Sequence, residues 1–291
     1  MSDQASRLLV TGASGQLGGL VIDAILTRAP EARISALVRR KEAGEALAAR
    51  GVDVRMGDYS DAASLEKAFV GVDRLLLIAS NEVGQRAAQH RNVIDAAKKA
   101  GVALIVATSL LHADSSVIGL GNEYRDTEAY LRASGVPFLI LRNGWYTENY
   151  TAPVQNAVAH GVRLTAAGAG RVNSAARKDY AEAAATVLLK ETVETGRVYE
   201  LAGDESFSQD ELAAEVARLS GRTVEAKHVS LAEFEQALIG TGMPPKVAAL
   251  YADFEKGTAA GALADDGREL RRLIGRPTTR WQDTVAGVVK G

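Results

Sequence analysis

The stretch Leu8-Leu9-Val10-Thr11-Gly12-Ala13-Ser14-Gly15-Gln16-Leu17-Gly18-Gly19 limits the fold more than any other part of the chain. Its first half is a short apolar run of the kind a strand buried on both faces shows. Its second half sets three glycines at a spacing of three and runs into the amphipathic pattern Leu20-Val21-Ile22-Asp23-Ala24-Ile25-Leu26. A strand that turns abruptly into a helix leaves the first helical N–H groups unpaired and converging on one spot, which is a ready anion site. Gly12, Gly15 and Gly18 suit the three roles of such a turn: a tight bend, close approach of backbone to a pyrophosphate, and close helix–strand packing. The expected ligand contacts along it are Gly12, Ala13, Ser14, Gly15, Gln16 and Leu17.

Short apolar runs at 34–38, 52–56, 75–79, 102–107 and 137–142 then alternate with helical spacing at 41–50, 61–70, 85–100 and 123–133. Parallel strands need crossover helices, so this alternation predicts an α/β fold, a doubly wound parallel sheet of the Rossmann type. Ligands in such sheets bind at the carboxyl ends of the strands, near the switch in strand order. Past Tyr150 the alternation loosens. Helices are expected at 152–160, 179–190, 209–219, 231–239, 246–254 and 269–274, with glycine-rich loops at 168–170 and 257–261. The expected division is a dinucleotide-binding domain over residues 1–150 and a smaller, α-rich C-terminal lobe on the substrate side over 151–291. A strand near 197–201 should return to the sheet.

Composition excludes several classes. With 291 residues, 47% of them apolar and 24% charged, the chain has globular rather than disordered or membrane usage. No apolar run reaches the ~18–20 residues that span a bilayer. Met1 to Ser6 lacks the basic-then-apolar pattern of a signal peptide. Cysteine is absent, and His90, His112, His160 and His228 lie far apart, so no disulfide and no metal site is expected. A cytoplasmic location fits the lack of cysteine. A net charge of −2 gives no footprint for nucleic acid. Helical faces around 231–250 leave the oligomeric state open, a homodimer included.

The end of the second strand selects the cofactor. An NAD site usually carries an acid there, about 20 residues past the glycines, for the ribose 2′-OH. This chain has Arg39, Arg40 and Lys41 instead. A planar guanidinium can hold a doubly charged 2′-phosphate bidentately, so Arg39 predicts NADPH, with Lys41 assisting. Asp58, at the end of the third strand, is placed either to read the adenine edge or to cap the turn after it.

Thr11 to Gly18, the Gly57-Asp58-Tyr59 turn and Leu141-Arg142-Asn143-Gly144-Trp145-Tyr146 resemble the atypical short-chain dehydrogenases of the NmrA-like group. Ser80-Asn81-Glu82-Val83-Gly84-Gln85-Arg86, Thr108 to Asp114 and Leu273-Ile274-Gly275-Arg276-Pro277-Thr278 resemble its flavin-free, quinone-reducing branch, which is related to dye reductases. The resemblance covers nearly the whole chain. It implies NADP contacts at Arg39, at Ala79, Ser80 and Asn81, along Asn143, Gly144, Trp145, Tyr146, Thr147 and Glu148, and near Ser174. Trp145, Tyr146 and Tyr150 could wall an aromatic substrate or pack in the core.

Typical short-chain dehydrogenases pair a tyrosine with a lysine four residues later. None of the eight tyrosines here does so: Tyr124 meets Glu128 and Tyr130 meets Ser134. Reducing a ketone makes a basic alkoxide and needs a positioned acid. A quinone yields a delocalised hydroquinone anion that solvent can protonate, so positioning suffices. The candidates for any catalytic role are Asn143, His112 and Ser109. Two readings remain: hydride transfer from NADPH to a quinone or a dye-like acceptor, and a non-catalytic NADP-binding redox regulator of the NmrA type.

Overall fold

The computed structural model describes residues 6–290. The first five residues, which include most of the segment read above for a leader, lie outside the described residues. In chain order the elements are β1 (Arg7–Val10), α1 (Gln16–Arg28), β2 (Arg33–Val38), a 3-10 turn (Lys41–Gly44) running into α2 (Glu45–Ala48), β3 (Asp53–Met56), α3 (Ala62–Ala68), β4 (Arg74–Leu77) and α4 (Arg86–Lys99). They continue as β5 (Leu104–Leu110), α5 (Gly121–Ala133), β6 (Phe138–Asn143), α6 (Thr147–Thr151), α7 (Val154–His160), β7 (Val162–Thr165), α8 (Arg177–Leu189) and β8 (Val198–Leu201). The last are α9 (Gln209–Ser220), β9 (Glu225–His228), α10 (Leu231–Gly240), α11 (Pro245–Ala259), α12 (Glu269–Ile274) and α13 (Trp281–Val289). None of the described helices is long and apolar enough to cross a membrane.

Seven strands form one sheet in the order β3-β2-β1-β4-β5-β6-β8. The pairings of β1 with β2 and β4, of β2 with β3, and of β5 with β4 and β6 are all parallel. β8 continues the ladder beside β6 through Ile140 N–H to Arg197 O at 3.0 Å and Gly196 N–H to Phe138 O at 2.7 Å. The chain winds from β1 out to β3 and then restarts at β4 on the other side of β1. The switch point therefore lies between β1 and β4, directly beside the glycine turn. Alternate residues of the central strands are buried on both faces, as the near-continuous apolar runs require. Leu9, Leu75, Leu77, Ile105 and Ile140 join Leu65, Phe69, Val93 and Ile94 in one core cluster.

The chain divides into two compact units that are interleaved in sequence. The first takes the chain as far as Ala113, then Asn122–Asn143 and Arg177–Glu200; the second takes Asp114–Gly121, Gly144–Ala176 and the chain from Leu201 on. This division is not a single cut near residue 150. The return segment explains why: α8 packs on α1 within the first unit, and β8 adds to its sheet edge.

The second unit has its own core, in which Tyr150, Val154, Phe207, Leu212, Val216, Trp281 and Val285 pack together. It also holds the two-stranded parallel pair β7–β9. One expected loop is corrected here: Gly257 lies inside α11 and is buried. A Cβ at Gly257 would stand 2.3 Å from Ile118 Cγ1, so glycine marks a close helix contact and not a flexible bend. Gly170 is likewise pinned, since its Cβ would fall 2.3 Å from Thr258 O. The helix expected over 152–160 corresponds to α7, which starts after Pro153 as its N-cap, and a further short helix, α6, precedes it.

Candidate functional site

The glycine turn is built as its spacing demands. Gly12 adopts φ +58°, in the left-handed region that favours glycine. A Cβ on Gly18 would lie 2.4 Å from Gly12 O and 2.7 Å from Ala13 Cα, and one on Gly15 would lie 3.1 Å from Gly12 O. Each glycine thus answers a different steric need. Inside the turn, Ala13 N–H donates to Leu37 O and Gly15 N–H to Gly12 O. Those two N–H groups are committed, whereas the N–H groups of Gln16 and Leu17, in the first turn of α1, have no intrahelical partner. α1 has Gly15 as its N-cap with no side-chain cap, and its first turn carries no acid. A helix of 13 residues whose positive end has neither a cap nor a neutralising carboxylate fits a pyrophosphate.

Beneath the turn, Thr11 stitches β1 to β4. Its hydroxyl donates to Leu76 O at 2.9 Å and accepts from Ile78 N–H at 3.0 Å. The Tyr59 hydroxyl lies against both Thr11 Oγ1 and Ile78 O. Desolvation raises the Tyr59 phenol well above its ordinary value, so it stays a neutral hydrogen-bonding group.

Arg39 stands just past β2, where its Nη1 lies 3.1 Å from Glu82 Oε1. Asp58 closes the turn after β3: its Oδ1 accepts from Ser60 N–H at 2.8 Å, and its own N–H donates to Ser64 Oγ at 3.0 Å. Of the two roles expected for Asp58, the capping one is what its hydrogen bonds perform. The cap of α3 itself is Asp61, which accepts from Ala63 and Ser64.

The loop after β4 carries Ala79, Ser80 and Asn81 and is tied down from below. Ala79 N–H donates to Thr108 Oγ1 at 2.9 Å, and Ser80 N–H donates to His90 Nε2 at 3.0 Å. Since Thr127 Oγ1 spends its proton on Glu123 O, His90 Nδ1 is the donor in the 2.9 Å contact with Thr127. Both ring nitrogens are therefore assigned, with Nε2 the acceptor, and the ring must be neutral. Burial and the nearby Arg86 guanidinium hold its pKa down, to about 3. Arg86 Nε donates to Ser80 O at 2.6 Å and its Nη1 to Glu123 at 3.2 Å, while the Ser80 hydroxyl donates to Gln89 Oε1.

A second buried network lies at the ends of β5 and β6. Glu128, 3% exposed, accepts from Arg142 Nε at 2.9 Å and Nη2 at 2.8 Å, and from the Ser109 hydroxyl at 2.6 Å. Arg142 Nη1 also donates to Glu200 at 2.7 Å. Desolvation works to raise the Glu128 carboxyl, but the Arg142 and Ser109 hydrogen bonds outweigh it and hold the pKa below the usual glutamate value. Ser109, a candidate catalytic hydroxyl, thus directs its proton at a carboxylate. His112 has φ +52°, its backbone N–H donates to Glu200 at 2.8 Å, and its Nδ1 lies 3.8 Å from the same carboxylate.

Tyr124 on α5 stacks under Arg86, whose guanidinium carbon is 4.8 Å from the ring centroid, and desolvation raises its phenol. An activated tyrosine would be shifted the other way. Asn143, at the end of β6, is 6% exposed, and its side-chain Oδ1 is buried without a hydrogen-bond partner. Leaving such an acceptor unmet costs about 1–3 kcal/mol, so a donor that reached it would be favoured there.

In the second unit, Tyr146 bridges Ala175. Trp145 O accepts from Ala175 N–H at 3.2 Å, and Thr147 N–H donates to Ala175 O at 2.9 Å. Thr147 Oγ1 and Ser174 Oγ are 2.8 Å apart. Gly144 N–H donates to Leu201 O at 2.7 Å. Ser174 also borders a cavity of about 290 Å³ with Asp204, Arg271 and Thr278. Glu148 lies in the first turn of α6. Trp145 packs edge-on against Phe254 at 4.8 Å. Tyr150 is 7% exposed, sits edge-on to Phe207 at 5.1 Å and belongs to the unit's core, so it is corrected from a substrate wall to a packing ring.

A profile of the NmrA-like family matches residues 4–279. The chain belongs to that family. It is 49% identical over 279 residues to quinone oxidoreductase 2 of Escherichia coli (strain K12), covering 96% of this chain and 97% of that protein. The crystal structure of the NADPH-dependent quinone oxidoreductase complexed with NADPH, also from E. coli, superposes with a TM-score of 0.94 at 48% identity over 97% of this chain and 99% of that one. Triphenylmethane reductase of Citrobacter sp. superposes at 0.93 with 36% identity, over 98% and 100%.

Sequence reading missed most of the supporting residues: Glu82, Gln89, His90, Arg142 and Glu200. The available signal was Glu128, four residues after Tyr124, where typical short-chain dehydrogenases carry a lysine.

Proposed function

We propose that this chain is an NADPH-dependent quinone oxidoreductase that delivers hydride directly to a quinone or another electron-poor conjugated acceptor, without a flavin or a metal. The observation that carries it is the fate of the proton-donor position. Tyr124 is raised in pKa, and Glu128 is consumed by Arg142. With a glutamate and no lysine four residues on, Tyr124 lacks the activation that ketone reduction calls on, whereas a hydroquinone anion needs no such donor. The relatives support the same reading. One is named a quinone oxidoreductase, and the other, a triphenylmethane reductase, is named for a cationic dye class.

NADPH, when bound, supplies the hydride, and the acceptor becomes a hydroquinone monoanion that takes its second hydrogen as a proton from water. The chain's own residues bind and orient. Gln16 and Leu17 N–H groups at the uncapped start of α1 hold the pyrophosphate. Arg39, assisted by Lys41, holds the 2′-phosphate. Ala79, Ser80 and Asn81 follow the ribose side on a loop that His90 and Arg86 keep still. Asn143 Oδ1 accepts from a cofactor donor such as the carboxamide. Gly144, Trp145, Tyr146, Thr147, Glu148 and Ser174 are proposed as further contacts, and Trp145 and Tyr146 as the aromatic side chains met by the acceptor. Effective molarity from such positioning can supply about 7–11 kcal/mol of barrier lowering.

The test is a steady-state assay with NADPH and a panel of simple benzoquinones, naphthoquinones and a triphenylmethane dye. Protein-dependent loss of the reduced-nicotinamide band is expected, faster with NADPH than with NADH. Loss no faster than in protein-free mixtures for every acceptor would reject the reading.

A further inference from the structure

The ion pair between Arg39 and Glu82 joins loops that leave the sheet on opposite sides of β1. Arg39 follows β2 and Glu82 follows β4, and both strands flank β1 in the sheet order. The pair therefore spans the carboxyl end of β1, where the glycine turn lies. Its two halves differ in how firmly they are held. Arg39 is 62% exposed. Glu82, although on the surface, is held at three points. Its Oε1 meets Arg39 at 3.1 Å, its Oε2 accepts from Gln89 Nε2 at 2.8 Å, and its N–H donates to Ser80 Oγ at 3.2 Å. Gln89 is itself 4% exposed and donates a second time, to Ser60 Oγ at 3.0 Å. A buried amide thus pre-positions one carboxylate against the guanidinium that the cofactor reading assigns to the 2′-phosphate.

We infer that Glu82 tempers the cofactor preference, as a built-in competitor that occupies Arg39 until a 2′-phosphate displaces it. The inference rests on the NADPH reading above. A carboxylate carries one charge and a 2′-phosphate about two, so the phosphate wins the guanidinium while NADH, with a 2′-hydroxyl, leaves the pair intact. The competitor lowers NADPH affinity by what the pair is worth. It also keeps Arg39 neutralised and the β2 and β4 loops joined over the glycine turn when NADH or another dinucleotide arrives. An ordinary exposed pair shifts an equilibrium by only about 1.4- to fivefold, largely because both side chains must be ordered. Here the ordering of Glu82 is already supplied by Gln89 and Ser80, which puts the pair at the upper end of that range.

Glu82→Gln removes the charge and keeps an acceptor for Gln89. Direct titration of NADP+ and NAD+ into the wild type, E82Q, R39A and the double variant, read by calorimetry, tests the inference without any turnover. The expected result is NADP+ affinity about two- to fivefold tighter in E82Q than in the wild type, NAD+ affinity unchanged, and no gain from E82Q in the R39A background. Unchanged or weaker NADP+ binding in E82Q overturns the inference, because Glu82 would then be idle or would orient Arg39 for the phosphate. An equal gain in the R39A background also overturns it, since the carboxylate would be acting on the phosphate directly. A wild type that binds both dinucleotides equally removes the NADPH reading itself, and the competitor with it. A wild type that prefers NADP+ while E82Q gains nothing removes the competitor alone.

Discussion

Arg39 stands just past β2 with 62% of its side chain exposed, whereas Arg142, in β6 of the same sheet, is 6% exposed and held by two carboxylates. Both lie toward the carboxyl ends of parallel strands, where this fold collects its ligands. Their surroundings separate their roles. Arg142 makes a two-pronged contact with Glu128 and a further one with Glu200, so its charge is spent inside the protein. Arg39 meets one carboxylate, that of Glu82, and is followed in sequence by Arg40 and Lys41, so the cluster as a whole carries more positive charge than Glu82 offsets. On the proposed reading, the exposed guanidinium on a net-positive loop is the one that meets a ligand, and the buried one held by two carboxylates builds the frame.

Breaking the buried arginine should produce the largest effect. Arg142→Ala leaves the buried Glu128 with only Arg132, itself 44% exposed and 3.0 Å away, and the Ser109 hydroxyl, and breaking a buried pair in this way costs up to about 3–5 kcal/mol. Urea unfolding should show a matching fall in stability. A loss under about 1 kcal/mol would mean that water reaches Glu128 and that the pair is not structural. Breaking the exposed arginine should do something different in kind. Arg39→Ala should cost about 1.5–3 kcal/mol of NADPH preference over NADH, the worth of hydrogen bonds between charged groups, with the unfolding midpoint unmoved. Matched titrations and melts of the same sample check both halves.

A smaller effect sharpens the comparison from the neutral side. His90 is buried without charge under the Ser80 loop, with a folded pKa of about 3 against an ordinary 6.5. Below about pH 6.5 the unfolded chain takes up a proton that the folded chain refuses, so stability falls as pH drops from about 6.5 toward about 3. The slope for one such group reaches about 1.4 kcal/mol per pH unit. Glu128 works in the same direction lower down: its contribution is present above the usual glutamate value and is lost as pH falls through the depressed folded one. A His90→Gln variant should have lower stability at neutral pH but a flatter decline between pH 6.5 and 5. An unchanged slope would show that His90 titrates in the folded state.

How much of this was legible in the sequence follows from the range over which each signal acts. The glycine turn was readable because all its steric demands fall between Gly12 and Gly18, within one local bend. Arg39 could be singled out because the role expected of it depends only on its distance from that turn. The Glu128–Arg142–Glu200 cluster was not, because its members lie 14 and 58 residues apart and meet only when β6 is laid between β5 and β8. Tyr150 was open to two readings since an aromatic residue looks the same in a core and on a pocket wall; packing against Phe207 decided it. β9, Glu-Ala-Lys-His, escaped because three of its four residues are polar, and it pairs with β7 as a short, largely exposed strand. α13 carried a legible pattern, with Trp281 and Val285 buried four residues apart, but lay past the last expected helix.

The account's central claim is that hydride passes in one step from NADPH to the acceptor on this chain. The most direct measurement is an anaerobic single turnover of the protein with saturating NADPH and a benzoquinone, repeated with cofactor deuterated at the transferred position. The account predicts one phase in which the reduced-nicotinamide band falls as hydroquinone appears, at a rate far above the protein-free mixture and slowed several-fold by deuterium. Decay no faster than without protein, or hydroquinone appearing in a separate phase, would contradict it.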